Sequence, residues 1–242
     1  LVSRPIGAMP QIVADAGGRA HAWWLGTPDK ETGARPLMHS GVTIGDTAWS
    51  APHAVTESAL IWHMASDPKG GLYLVYVRVQ HTDAFPAGVY YTRSTNRGAT
   101  WSTPQALYDT IYFRLLSVEE AHVQVAADGQ GHVHVVWDDP RLEKSFYARS
   151  ADGVIWEEPW EVGDPEEGAR RIQVAVGKEG EVLLLWEATR VAAPCALYQQ
   201  RSTDFGQTWS SPERVLEDLG RCPEGRAFLR TALFRIPSLF SW

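Results

Sequence analysis

The sequence predicts an all-β fold, a β-propeller of four-stranded antiparallel blades with an Asp-containing turn in each blade. A motif of the form Arg-Ser-x-Asp-x-Gly-x-Thr-Trp-Ser-x-Pro occurs almost intact at residues 93–104 and 201–212. Shorter copies occupy residues 149–156 and 47–52. The anchoring tryptophans recur about every 50 residues, which is the spacing of propeller blades and not of helical repeats. They are Trp49, Trp101, Trp156 and Trp209.

Each repeat begins with two short apolar strands joined by a hairpin. The predicted pairs are 11–15 with 20–24, 61–66 with 72–77, 122–127 with 132–137, and 172–176 with 182–186. Glycines lie in all four hairpins and supply the positive φ angles that tight turns require. The third and fourth strands of each blade then flank the Asp-containing turn. No segment has the periodicity of a long amphipathic helix.

The turns resemble the Asp-boxes, or BNR repeats, of the sialidase superfamily, and the resemblance covers nearly the whole chain. In such a turn the Asp carboxylate accepts hydrogen bonds from backbone N–H groups, and Gly adopts the left-handed conformation. The Trp ring packs into the blade. We therefore expect Asn96, Asp152 and Asp204 to be structural. The resemblance further implies that these turns lie on the face opposite the ligand site.

We expect residues 1–242 to form a single propeller domain. The repeats account for four whole blades, flanked by parts of two others at residues 1–3 and 234–240. The sialidase resemblance implies six blades, which predicts a domain that is incomplete at both ends. The alternative is a complete small propeller closed by pairing its two ends.

Composition narrows the choice of partner and compartment. The net charge of −7 argues against nucleic acid and against an anionic membrane surface. No signal peptide or transmembrane run is present in the sequence.

The repeat places Cys195 and Cys222 in connections on one face, which favours a disulfide and an oxidising compartment, with two free thiols as the alternative. The resemblance implies a glycan partner and an extracellular, cell-surface or periplasmic location.

Two arginines are predicted at equivalent positions of inner strands, close to the channel mouth. Arg235 lies in Phe234-Arg235-Ile236-Pro237, and Arg171 lies in Arg170-Arg171-Ile172-Gln173. The first motif resembles the Phe/Tyr-Arg-Ile-Pro motif of sialidases, whose Arg belongs to a triad that binds the sialic-acid carboxylate. Planar guanidinium groups suit this task because they bind a carboxylate through two parallel hydrogen bonds. The resemblance thus implies substrate binding by Arg235, and position suggests the same for Arg171.

A second group of candidates follows the second strand of the third and fourth blades. Asp138, Asp139 and Arg141 lie in the third blade, and Glu187 and Arg190 lie in the fourth. Carboxylates and arginines that converge on a cleft bind sugar hydroxyls or supply general acid and base catalysis. Asp138 and Asp139 could instead bind Ca²⁺, which prefers carboxylate oxygens, or pair with Arg141 and cap the strand.

Other chemistry is weakly indicated. His132 and His134 alternate along one strand, which fits a metal pair only beside a third ligand and otherwise a blade surface. No cofactor is predicted besides this weak Ca²⁺ alternative. The resemblance to sialidases leaves two functions open. One is a sialidase-like glycoside hydrolase that acts on terminal sialic acid or a related acidic sugar. The other is a non-catalytic propeller that binds glycans or proteins.

Overall fold

The computed structural model describes residues 10–164, 168–188 and 196–216. They form four antiparallel sheets of four strands each, and a short 3-10 helix at Ile111–Leu115. The first sheet contains β1 Gln11–Ala14, β2 Arg19–Leu25, β3 Leu37–Thr43 and β4 His53–Thr56, and the second contains β5 Ile61–Ser66, β6 Leu72–Arg78, β7 Gly88–Ser94 and β8 Gln105–Asp109. The third contains β9 Val123–Ala127, β10 Val133–Asp139, β11 Lys144–Ser150 and β12 Trp160–Val162. The fourth contains β13 Arg170–Val176, β14 Val182–Glu187, β15 Leu197–Ser202 and β16 Glu213–Leu216.

Each sheet contains one sequence repeat, with its strands paired in chain order. The four hairpins predicted from the glycine turns are therefore confirmed. Two strands extend two residues beyond a predicted end, β10 at its last residues and β13 at its first. The β10–β11 ladder continues through Asp138 opposite Ser145 and Asp139 opposite Lys144, and β13 begins at Arg170. The two aspartates consequently belong to a strand and do not follow it.

The core is divided among the spaces between neighbouring sheets. Trp23 and Leu37 of the first sheet pack with Trp62, Leu74 and other residues of the second. Similar apolar clusters join the second sheet to the third and the third to the fourth. Because the second and third sheets are covered on both faces, β6 reads as a continuous apolar run and not as an alternating one. This face-to-face stacking confirms the predicted propeller architecture.

The Asp-containing turns have the predicted hydrogen bonds. Asp204 Oδ1 accepts from Ser202 Oγ at 2.7 Å and from the Thr208 N–H at 2.8 Å. Hydrogen bonds from Thr208 and Ser202 hold the pKa of Asp204 at about 2. Gly206 has a φ of 80°, and a Cβ there would collide with the Tyr147 hydroxyl of the preceding sheet. The turn thus needs glycine both for its backbone conformation and for close packing.

The turn tryptophans pack across sheets. The Trp101 ring lies 5.1 Å from Trp23 of the first sheet, Trp156 lies 4.7 Å from Tyr91 of the second, and Trp209 lies 5.1 Å from Tyr147 of the third. Each of these three rings therefore contacts the sheet that precedes its own. Trp49, in the first sheet, is 47% exposed, so the prediction that every turn tryptophan packs into the core is wrong for this one.

Antiparallel pairing separates the connections into two faces. The first hairpin and the Asp-containing turn of each sheet lie on one face, which we call the turn face. The connections 26–36, 57–60, 79–87, 110–122 and 140–143 lie on the other, which we call the loop face. The ends of β10 and β14 and the start of β13 point to the loop face, where the candidate residues are found.

A buried row of polar side chains lies on the turn face between the first two sheets. His21 Nδ1 is 3.0 Å from His39 Nε2, and His21 Nε2 is 3.3 Å from Asp15 Oδ2. Burial lowers the pKa of His39 to about 3, helped by repulsion from His21, His53 and Arg19. Burial also lowers the pKa of both His63 and His134 to about 4. These three imidazoles are neutral in the folded protein at neutral pH.

We expect the free energy of unfolding to fall as the pH is lowered below about 6.5, the pKa of histidine in an unfolded chain. Between that pH and the lowered folded values, the unfolded chain binds more protons than the folded protein. Each buried histidine contributes up to about 1.4 kcal/mol per pH unit. Urea unfolding at pH 7 and pH 4.5 measures the effect, and a His39→Gln variant should show a shallower dependence. Equal slopes in the two proteins would contradict this assignment.

Candidate functional site

The loop face brings five of the predicted site residues to neighbouring sheets. Asp138 and Asp139 end β10, and Arg141 follows them in the third sheet. Arg171 and Glu187 lie at the start of β13 and the end of β14 in the fourth sheet. Arg190 and Arg235 lie outside the described residues, as do Cys195 and Cys222. Their predicted roles stay predictions.

Asp138 joins the third sheet to the fourth. This carboxylate is buried, and its Oδ1 accepts a hydrogen bond from Ser145 Oγ at 2.7 Å and a longer one from the Ile172 N–H at 3.4 Å. Oδ2 accepts from the Arg171 N–H. Arg171 has a φ of 54°, in a region that side-chain-bearing residues seldom adopt, at a register shift of β13. Asp138 therefore fixes the strained backbone that carries Arg171.

Glu187 holds two arginines by their guanidinium groups. Its Oε2 lies 3.1 Å from Arg170 Nε, and its Oε1 lies 3.5 Å from Arg171 Nη1. The Glu187 side chain is 1% exposed, whereas those of Arg170 and Arg171 are 37% and 26% exposed. One buried carboxylate thus orients two partly exposed cations.

Arg170 is a site residue that sequence reasoning missed. The resemblance directed attention to Arg171, the equivalent of the motif arginine. The observation that identifies Arg170 is its pairing in the β13–β14 ladder, where it lies directly opposite Glu187. Opposite charges at facing positions of antiparallel strands interact directly.

Asp139 points away from Asp138, toward the second sheet. Its Oδ2 accepts a hydrogen bond from the Tyr108 hydroxyl at 2.8 Å, and its Oδ1 accepts from the N–H groups of Arg141 at 3.0 Å and Leu142 at 3.2 Å. Burial and the Asp139 charge raise the pKa of Tyr108, which keeps its hydroxyl a donor. Asp139 therefore caps the strand, as the sequence allowed, through the backbone of Arg141.

The Ca²⁺ alternative for Asp138 and Asp139 is not supported by this geometry. Adjacent strand residues face opposite sides, and each carboxylate is engaged with a different neighbouring sheet. Within residues 10–164, 168–188 and 196–216, no three His, Cys, Asp or Glu side chains converge on a point that could hold a metal ion.

The two histidines of β10 and its hairpin have separate partners. His132 Nδ1 lies 2.7 Å from Asp128 Oδ2, and His134 Nδ1 lies 2.7 Å from the Tyr147 hydroxyl. His134 is buried between sheets and not on an exposed blade surface, which corrects the sequence-based expectation. Both residues belong to packing on the turn face.

Family membership follows from the sequence match to known domains. Residues 18–224 match the BNR repeat-like domain. The chain belongs to the BNR repeat-like family. The resemblance of its turns to BNR repeats is therefore confirmed. None of the curated proteins matches this BNR repeat-like chain in sequence.

Solved structures share the fold at low sequence identity. The NanB sialidase of Streptococcus pneumoniae is 11% identical, with a TM-score of 0.56, over 86% of this chain and 51% of its own. A protein of unknown function from Dyadobacter fermentans is 16% identical, with a TM-score of 0.58, over 88% and 70%. An ulvan lyase of polysaccharide lyase family PL25 is 12% identical, with a TM-score of 0.54, over 90% and 60%. The chain thus spans about half of the sialidase and 60% of the lyase.

A cavity of this BNR repeat-like fold lies on the turn face, away from the candidate residues. It has a volume of about 1200 Å³ and is lined by the first hairpins of all four sheets. Its aspartates cap those hairpins: Asp15 accepts from the Arg19 N–H, Asp67 from the Gly71 N–H and Asp128 from the His132 N–H. These acids are therefore structural.

In the described parts of the chain, no helix has the length and apolarity needed to cross a membrane.

Proposed function

We propose that this BNR repeat-like propeller recognises glycans at its loop face, and that Arg170 and Arg171 bind the carboxylate of an acidic sugar. The observation that carries the proposal is the arrangement of both guanidinium groups around the buried Glu187 carboxylate. Arginines held in this way lose little side-chain entropy on binding, since their orientation is set beforehand. A guanidinium group presents its N–H donors in a planar fork that matches the geometry of a carboxylate.

Positioning of Arg171 supports the same proposal. Its backbone adopts a φ of 54° beside Asp138, and strained backbone of this kind clusters at functional sites. The carboxylate oxygens of Asp138 and Asp139 accept hydrogen bonds from N–H and O–H groups of the protein. In this proposal they position the arginine-bearing segments, and Glu187 orients the guanidinium groups.

Replacing Arg171 by Gly tests the binding site without straining the fold. Glycine adopts positive φ freely, so Arg171→Gly removes the guanidinium while favouring the observed backbone. We expect affinity for N-acetylneuraminic acid or glucuronic acid to fall about tenfold to a hundredfold, the effect of losing hydrogen bonds between charged groups. Isothermal titration measures it, with galactose as the neutral sugar.

The matched control is Arg201→Ala, which removes an exposed arginine of the same sheet from the turn face. It should bind like the parent protein. Equal affinity of the parent and Arg171→Gly for both acidic sugars would refute the proposed site. Stronger binding of galactose than of either acidic sugar would refute the sugar class.

Hydrolysis of a terminal acidic sugar is the second candidate function. The observation that favours it is the presence of the buried carboxylates Asp138 and Glu187 beside the arginine pair. Release of sialic acid from sialyllactose should then fall by at least about a hundredfold in Glu187→Gln, the usual contribution of a catalytic acid or base. If the parent protein binds sialyllactose but releases no sialic acid from it, hydrolysis is refuted and only glycan recognition is retained.

A further inference from the structure

A second cationic group lies on the loop face, at the boundary between the second and third sheets. The guanidinium carbon of Arg141 lies 3.4 Å from the centre of the Tyr112 ring. Both residues are exposed, and among the described residues no carboxylate lies within ion-pair distance of Arg141. Stacking on an aromatic face fixes the guanidinium plane and leaves its edge donors free.

This pair rests on a rigid base. The Arg141 N–H donates to Asp139, whose other oxygen accepts from the Tyr108 hydroxyl. The Tyr108 ring in turn packs against Phe113 at 5.7 Å, and Phe113 is the buried residue of the 3-10 helix that carries Tyr112. The two partners of the cation–π contact are therefore positioned by one set of interactions.

The pair is linked to the arginine site in the fourth sheet through the end of β10. Asp139, which holds the Arg141 backbone, is the neighbour in the chain of Asp138, which holds the Arg171 backbone. Adjacent Cα atoms are about 3.8 Å apart. One strand end thus connects two cationic groups that face the same side of the protein.

We propose that Arg141 and Tyr112 form a second subsite, which binds the anionic group of a neighbouring sugar in an acidic oligosaccharide. This inference rests on the proposed function and specifies its ligand: a chain with repeated negative charges and not a single terminal sugar. Charge complementarity supports this occupant, since no carboxylate of the described residues forms an ion pair with Arg141 in this protein of net charge −7. Apolar surface at the exposed Ile111 and Leu115 suits the flat faces of sugar rings.

The test compares monosaccharide with oligosaccharide. The probes are N-acetylneuraminic acid with its α2,8-linked tetramer, and galacturonic acid with its tetramer. We expect the parent protein to bind at least one tetramer about tenfold to a hundredfold more tightly than its monosaccharide, as one added bidentate contact gives. Arg141→Ala and Tyr112→Ala should abolish this gain while leaving monosaccharide affinity unchanged.

Three controls make the result decisive. Arg214→Ala removes an arginine stacked on Tyr198 at 5.8 Å on an outer strand, and it should retain the gain. Tyr112→Phe keeps the ring and should behave like the parent. Melting temperatures of Arg141→Ala and Tyr112→Ala should match that of the parent, because both side chains are exposed.

The outcomes separate the two proposals. One outcome is that monosaccharide binding depends on Arg171 but the Arg141→Ala substitution does not change tetramer binding. This result would overturn the second subsite alone and leave this surface to a different partner. No binding of any acidic sugar by the parent would overturn the proposed function, and the second subsite with it. If Arg214→Ala also loses the tighter binding of the tetramer, the effect is due to overall charge, and the subsite is likewise overturned.

Discussion

Trp209→Ala is expected to lower the free energy of unfolding by about 3 kcal/mol, the smaller end of the range for large aromatic deletions because the ring is only partly buried. The Trp209 ring contacts Tyr147 at 5.1 Å and Trp160 at 5.8 Å, both in the preceding sheet. Its Nε1 also donates to the Gly206 carbonyl at 3.1 Å. The substitution therefore opens a cavity between sheets and removes a hydrogen bond within the turn.

The protein offers a matched control for this effect in Trp49, which holds the same place in its repeat. Because Trp49 is 47% exposed, Trp49→Ala should change the free energy of unfolding by about 0.5 kcal/mol or less. Urea unfolding followed by circular dichroism compares the two variants. Equal destabilisation by both would show that packing across sheets does not set the contribution of these rings.

Asp138→Ala is expected to cost about 3 kcal/mol and to weaken glycan binding as well. The substitution removes the acceptor of the Arg171 N–H, of the buried Ile172 N–H and of the buried Ser145 hydroxyl. The strained backbone at Arg171 then lacks support, so the guanidinium is displaced from Glu187. Asp138→Asn keeps one acceptor oxygen but turns an NH₂ group toward a donor, and should lie between the parent and the Ala variant.

Melting temperature and affinity for an acidic monosaccharide are both measured for the Asp138 variants. The control is Asp83→Ala, which removes an exposed carboxylate from another connection of the same face. It should leave both quantities unchanged. Parent-like stability and affinity in Asp138→Ala would contradict the positioning role.

The local architecture was predictable because its signals are local. Glycine hairpins, apolar strand pairs and the Ser-x-Asp turn each act within about a dozen residues, and all four sheets formed where these signals stand. Strand ends were less predictable. Polar residues such as Asp138 and Asp139 look like the start of a loop, yet pairing with β11 and partners on neighbouring sheets keeps them in the strand.

The geometry of the candidate site depends on contacts between repeats, which a repeat pattern does not encode. Tyr108 reaches Asp139 from the second sheet, and Asp138 reaches Arg171 in the fourth. The positive φ of Arg171 has no signal in its sequence neighbourhood, since glycine or asparagine is the usual residue there. Sequence reasoning therefore selected the loop face correctly as the location of these residues, but could not give their partners.

The packing of turn tryptophans across sheets has a consequence for how such a protein can lose structure. Because Trp101, Trp156 and Trp209 each complete the core of the sheet before their own, a sequence repeat and a unit of stability do not coincide. The unit of stability is one sheet together with the turn of the next. Loosening one turn therefore weakens two repeats at once, and nearest-neighbour coupling of this kind makes the stack of sheets unfold as a cooperative array.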